Sequence, residues 1–424
     1  MHTLKEIYQD NEERNFIDPS LYSRYRVKAG LRNENGTGVK VGLTKICDVI
    51  GYKIIHEKKY NIDGQLIYRG YPINYLVNKQ PSDKICGFEE TAYLLIFGTL
   101  PNADQLKTFK DYLLNFKMGP VDLQYETPNI LNALQIEVLK LYAKDPSADT
   151  DDLEERMMKG LKILASIPLF TFSYARNKVF KSYPYPDRSL AENILCMARG
   201  NDQYTFEEAK IMDTLLMIHA DHGGGNNSTF ANVVISSTGT DIYSCISAAI
   251  GSLKGPKHGG ANCKVTNMFK AIFHEVGFTT DQTTLKKIAN RILDKDFFDH
   301  SGLIYGIGHA IYTKSDPRAL LIHEQCEALA KSKGQEEIYN CIHAFEKVAI
   351  EVMKERKGID VCANVDYYSG YVYSLLGIEA DLFTPLFAIS RTAGWVSHHL
   401  ENRQSNRKLI RPANVYVGEM EEIK

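Results

Sequence analysis

No stretch of this 424-residue chain approaches the roughly 18 consecutive apolar residues that a membrane-spanning helix requires. A global excess of one charge is also missing. Formal net charge is −2, so there is no basic field of the kind that nucleic acid attracts. The eight cysteines are spread singly from Cys47 to Cys362 with no C-x-x-C pair. In a chain this long, that pattern reads as reduced and mostly buried thiols, not as a disulfide framework or a zinc site. The first twenty residues carry several acids and lack an apolar core segment, which fits neither a secretory signal nor an acid-poor transit peptide. The expected location is a bacterial-type cytoplasm, with neither membrane nor nucleic acid as a partner. Internal repeats and low-complexity linkers are absent as well.

What is present is mostly helical patterning. Thr205-Phe-Glu-Glu208 is a capping box, and Ile211, Leu215, Leu216 and Ile218 follow at helical spacing. Comparable amphipathic runs occupy 103–116, 129–143, 190–198, 241–253, 336–354 and 382–400. Strand character is confined to 39–70, where Asp63-Gly64 separates short apolar runs and predicts a hairpin turn. Gly and His concentrate at 219–225, 255–260 and 302–309, each between helical segments. Glycine-flanked loops on a rigid scaffold are where binding and catalytic side chains tend to sit.

Five constellations carry chemistry. In Gly255-Pro-Lys-His258-Gly-Gly-Ala-Asn262, flanking glycines let a ligand approach a histidine that can present one ring nitrogen while the other fixes its tautomer. The plainer reading is a turn histidine bonded to backbone. Gly306-Ile-Gly308-His309 precedes Ser-Asp-Pro-Arg at 315–318, where Asp316 suits an N-cap and Pro317 the first helical position. Arg318 then falls in the first turn, a place that disfavours a cation by under about 1 kcal/mol unless an anion is near. Otherwise it is an exposed helix-start arginine. In Asn364-Val-Asp366-Tyr-Tyr-Ser-Gly370, Asp366 is either an N-cap or a general base made more basic by partial burial. In His219-Ala-Asp-His222, the two histidines share a helix face, which raises a metal site as a rival; zincin spacing, with His at i and i+4 around a Glu, is lacking. Arg391 and Arg411 each follow an apolar run, and with Arg318 they would suit a small dianion, since arginine meets carboxylates bidentately.

The segments GPKHGGAN, GIGHAIYTKSDPRA, NVDYYSG, TPLFAISRTAGW and LIRP resemble, in order and spacing, the citrate synthase family, above all its bacterial citrate/2-methylcitrate synthase members. The likeness spans about residues 60 to 415, and the segment before 40 matches no family role. It implies an all-α fold: a large helical domain from 1–264 and 374–424, a small one from 265–373, and a minor N-terminal β-hairpin. It also implies an acyltransferase of the tricarboxylic acid cycle, which converts the acyl group to alkyl on transfer. The substrates would be acetyl-CoA and oxaloacetate, with propionyl-CoA and 2-methylcitrate synthesis as the alternative. By resemblance, His258 stabilises the enol, Asp366 removes the methyl proton, and His309 polarises the ketone and donates a proton. His222, Arg318 and Arg391 resemble the carboxylate ligands. Arg411 resembles an arginine delivered by the second subunit of a homodimer. No metal or cofactor is implied.

Two positions depart from the family pattern. Gly223 stands where many relatives have Glu, and Ala310 where many bacterial members have Arg. Neither is a position to which a catalytic role transfers. Two rivals belong to other classes, a metal-dependent hydrolase built on His219 and His222, and a CoA-binding scaffold that releases no free thiol.

Overall fold

A computed structural model describes residues 3–10, 16–119, 121, 123, 127–405 and 408–418. Backbone contacts divide the chain into two units, Met1–Gly42 with Ile410–Lys424, and Leu43–Leu409. The first holds two short helices, α1 (Leu4–Asp10) and α2 (Ser20–Arg24), and a turn closed by an Arg32–Gly38 bridge. None of its described side chains is buried, so those residues form no core of their own.

The second unit opens with an antiparallel sheet of β1 (Cys47–Ile55), β2 (Lys58–Tyr68) and β3 (Tyr71–Pro72), in that order. Cys47 lies opposite Tyr68 and Ile55 opposite Lys58. The hairpin turn is therefore His56-Glu57, and not Asp63-Gly64 as the sequence suggested. Both turn residues take positive φ, 46° and 64°, as the two-residue turn matching strand twist demands. Gly64 lies inside β2 for a different reason. A Cβ there would sit 2.1 Å from the Ser315 carbonyl oxygen and 2.7 Å from the Tyr312 ring, so glycine permits a close approach between β2 and the 312–315 loop.

Fifteen further helices follow among the described residues. They begin with α3 (Ile73–Asn78), α4 (Gly87–Phe97), α5 (Ala103–Leu114), α6 (Ile130–Ala143) and α7 (Leu153–Ala175). Next come α8 (Leu190–Arg199), α9 (Phe206–His219), α10 (Asn227–Ser236), α11 (Ile242–Leu253) and α12 (Ala261–Val276). The last are α13 (Gln282–Leu293), α14 (Pro317–Ser332), α15 (Glu336–Lys357), α16 (Val365–Leu375) and α17 (Phe383–Gln404). The runs expected at 103–116, 129–143, 190–198, 241–253, 336–354 and 382–400 are α5, α6, α8, α11, α15 and α17. The capping box forms at the start of α9, where Thr205 accepts from the Glu208 amide.

The core centres on α17. Every residue from Leu382 to His399 is buried, which is the signature of a helix surrounded by others and not laid on a surface. It packs against α4, α7, α9, α10 and α11. A second group joins α14 to α16, α13 to α15 and α12 to α16, and α14 also reaches α9 and β2. The site lies where the ends of these elements meet: the C-terminus of α9, the first turns of α10, α14 and α16, and the middle of α17.

Candidate active site

Arg391 is fully buried in α17. Its Nε donates to the His219 carbonyl at 2.7 Å and the guanidinium lies over the Phe387 ring at 4.6 Å, yet neither Nη1 nor Nη2 has a hydrogen-bond partner in the protein. A buried guanidinium with unmatched N–H groups is costly, and it points to an anion as the missing partner. The two histidines beside it each carry an unmatched ring nitrogen as well. His219, the last residue of α9, receives or gives its Nδ1 bond at the Leu215 carbonyl (2.8 Å), and a carbonyl only accepts, so Nδ1 carries the proton. Its Nε2, like the Nε2 of buried His222, has no partner. Burial, followed by the positive charges of Arg318 and Arg391, pushes His219 down to about 3 and holds His222 far below the ordinary imidazole range. Both rings are neutral at pH 7.

Arg318 is buried too, not a solvated helix-start arginine. Asp316 caps α14 by accepting from the Arg318 amide at 3.0 Å. The same carboxylate takes the Arg318 side chain bidentately, from Nε at 3.0 Å and Nη2 at 2.7 Å. The cap thus supplies the negative charge that makes a first-turn cation tolerable. Burial works against the charge on this guanidinium, but the Asp316 carboxylate outweighs it and raises Arg318 above its ordinary value. Asp316 also accepts from the Val365 amide at 3.2 Å, which ties the start of α14 to the start of α16.

Asn364, not Asp366, is the N-cap of α16, with its side-chain oxygen accepting from the Asp366 amide at 2.9 Å. Asn364 also donates to the Gly308 carbonyl at 2.9 Å, so the His309 loop is laced to the helix that carries Asp366. Gly306 takes φ +82°, and a Cβ there would meet the Tyr367 ring at 2.8 Å. Asp366 itself is half-buried, and no described residue donates to its carboxylate. Burial pushes it up to about 6; nearby Asp316 adds to the rise, while Arg318 and Arg391 oppose it. That is a carboxylate near neutrality in basicity, as a general base should be.

Backbone amides fix the tautomers of the two loop histidines. Ser228 lies in the first turn of α10, where amides lack helical partners, and its N–H donates to His258 Nε2 at 3.3 Å. The Ser228 hydroxyl lies 3.0 Å from the same nitrogen. The ring proton therefore sits on Nδ1. Burial, with Arg391, lowers His258 to about 4, so it is a neutral donor. His309 Nδ1 accepts from the amides of Ile311 and Tyr312, both at 3.1 Å, which leaves its proton on Nε2. His309 lies edge-on to His222, with ring centroids 5.2 Å apart, and stacks on Tyr312 at 4.7 Å.

His222, His258, His309, Arg318, Arg391 and Asp366 thus share one neighbourhood. Arg411 does not belong to that unit; it is exposed in the unit formed by Met1–Gly42 and Ile410–Lys424. Two buried guanidinium groups beside His219 and His222 repel a metal cation and attract a dianion, so the electrostatics disfavour the metal rival. Sequence reasoning missed Ser228, Asp221 and His398. Asp221 lies between the two histidines and bonds His398 Nε2 at 3.0 Å. The available signal was helical spacing, since His398 follows Arg391 by seven residues.

A protein-family model described as "Citrate synthase, C-terminal domain" matches residues 33–413. The citrate synthase of Haloferax volcanii is 37% identical over 386 residues, 87% of this chain and 94% of that protein. The 2-methylcitrate synthase 1 of Corynebacterium glutamicum is 33% identical over 366 residues, 83% of this chain and 89% of its own. A solved ternary complex of carboxymethyl coenzyme A and oxaloacetate with the citrate synthase of the archaeon Thermoplasma acidophilum is similar in fold. Its TM-score is 0.76 at 26% identity, covering 94% of this chain and 98% of that one.

Proposed function

The chain belongs to the citrate synthase family, and from that premise we propose how its own residues carry the reaction. It is an acyltransferase that condenses acetyl-CoA with oxaloacetate and water, giving citrate and free CoA. The observation that carries the site assignment is the set of unmatched buried groups: Arg391 Nη1 and Nη2 with His219 and His222 Nε2. Oxaloacetate, a compact dianion with a ketone, supplies acceptors for the two unmatched Arg391 nitrogens. Arg318, Arg391 and His222 hold it, and His222 as a neutral ring adds no charge.

The chemical step follows from the proton positions. Asp366 takes a proton from the acetyl methyl group. His258 Nδ1–H hydrogen-bonds the thioester oxygen as enol character develops, the kind of preorganised stabilisation that lowers such barriers most. The resulting carbon attacks the oxaloacetate ketone while His309 Nε2–H donates toward the ketone oxygen. Water then hydrolyses citryl-CoA to citrate and CoA. Every group invoked is an amino-acid side chain, and the reading requires neither metal nor cofactor.

Residues 265–373 form a smaller body that closes on 1–264 with 374–424, which excludes water from the enol. The working unit is a cytoplasmic homodimer in which Arg411 of one copy completes the site of the other. Propionyl-CoA differs by one methylene, a difference worth only about 1–3 kcal/mol in a pocket. A thiol-release assay with oxaloacetate and either acetyl-CoA or propionyl-CoA tests the reading. Release with acetyl-CoA, at a higher kcat/KM than with propionyl-CoA, is expected. Absence of thiol release with both would overturn it.

A further inference from the structure

Three residues on one face of α17 hold the stretch before His222, one each. Arg391 Nε donates to the His219 carbonyl at 2.7 Å, the Gly394 amide to the Ala220 carbonyl at 3.1 Å, and His398 Nε2 to Asp221 Oδ2 at 3.0 Å. Positions i, i+3 and i+7 line up along a helix, so the stretch lies on α17 residue by residue. On the other side, the Tyr68 hydroxyl bonds both the amide and the carbonyl of Asp221, at 3.1 and 2.8 Å.

Asp221 is fully buried and its carboxylate is held ionised. Burial works against the charge, but His398 and then Arg391 outweigh it. The Gly223 amide also donates to Oδ2, at 3.3 Å, and the His222 amide and the Cys47 thiol lean on the same carboxylate, while Oδ1 is among the buried atoms without a hydrogen-bond partner. Oδ1 also crowds Gly394, where a Cβ would be 2.5 Å away. Nearby stands Arg391, whose Nη1 and Nη2 are equally unmatched. A buried carboxylate and a buried guanidinium with open valences would pair if nothing prevented it.

We propose that His398 is a positioning residue: by engaging Asp221, it keeps that carboxylate from capturing Arg391, and so leaves the guanidinium free for the substrate dianion. Asp221 and oxaloacetate are competitors for one cation, and the imidazole N–H decides between them. The proposal rests on the assignment of Arg391 to oxaloacetate made above.

The test is a pair of variants in the full-length protein, assayed by thiol release. In His398→Ala, the oxaloacetate KM should rise by about tenfold or more, as expected when a hydrogen bond to a charged group is lost. The acetyl-CoA KM should stay within about twofold, because the competition concerns the other substrate. Removing the competing charge should then restore binding. His398→Ala combined with Asp221→Asn should bring the oxaloacetate KM back to within about threefold of the parent, a non-additive result that a packing defect does not produce. An unchanged oxaloacetate KM in the single variant, or a double variant no better than the single, would overturn the proposal. If circular dichroism shows His398→Ala unfolded, the comparison becomes His398→Gln, which keeps an N–H, against His398→Met, which fills space without one. Equal oxaloacetate KM values in those two would overturn it as well. Thiol release by the parent protein separates the outcomes, since its absence refutes the reaction itself and not the role of His398.

Discussion

Replacing Asp366 with asparagine should stabilise the protein while abolishing turnover. The carboxylate is pushed from an ordinary 3.8 up to about 6, chiefly by burial. Its folded-state value is raised, so the folded state binds this proton more tightly than the unfolded chain does. Ionising it therefore costs stability. The cost is absent below about 4, grows as pH rises from 4 to 6, and is complete above 6. A difference of about two pKa units corresponds to about 3 kcal/mol at pH 7.5, and to about half that at pH 5. Asp366→Asn removes the ionisation and keeps the shape, so urea denaturation at fixed protomer concentration, without substrates, should show gains of that order and that pH dependence. Turnover should fall by about 10² to 10⁴, the usual contribution of a positioned base, while oxaloacetate binding persists. A gain identical at pH 5 and pH 7.5 would refute the titration argument. A folded variant with near-parental kcat would remove Asp366 from the base role.

Three other outcomes follow from the same structure. The kcat/KM for acetyl-CoA should fall on the acid side with an apparent pKa at or above about 6, because Asp366 must be ionised and a bound dianion raises it further; an acid limb near 4 would contradict this. Mixing Arg411→Ala subunits with Asp366→Asn subunits should restore about a quarter of parental activity per subunit, assuming free reassortment into C₂ dimers. Verified heterodimers as inactive as both parents would exclude a role in trans. Gly64→Ala should destabilise by about 1–3 kcal/mol, since the added methyl would lie 2.1 Å from the Ser315 carbonyl oxygen; an unchanged urea midpoint would mean that the β2 contact yields freely.

Periodicity and capping chemistry revealed most helices because those signals are local. Thr205 with Glu208, and Asp316 with Pro317, mark helix starts whatever surrounds them. The hairpin turn was missed because Asp63-Gly64 looks like a turn when read locally, whereas Gly64 answers a long-range contact with Ser315 and Tyr312. The turn that forms uses His56 and Glu57, which lack the Asn-Gly or Asp-Gly signature of such turns. Motifs identified the site residues, but not what makes them work. Nothing local distinguishes a solvated arginine from Arg391, whose burial comes from the helices packed around α17. The Asp366 shift likewise depends on enclosure by distant segments. Asp221 and His398 are 177 residues apart, and only the fold pairs them.

The main-chain amides that fix the two proton-donating histidines have a bearing on how this site can vary. The donors to His258 and His309 include the backbone N–H groups of Ser228, Ile311 and Tyr312. Any residue except proline carries such a group. The Ile311 side chain can therefore change without removing a donor, whereas Ser228 also reaches His258 through its hydroxyl and Tyr312 also stacks on His309. What the chain cannot vary freely is the path of the backbone: a shift of about one ångström in the first turn of α10 or in the 309–312 turn would pull the amides away from the ring nitrogens that they hold.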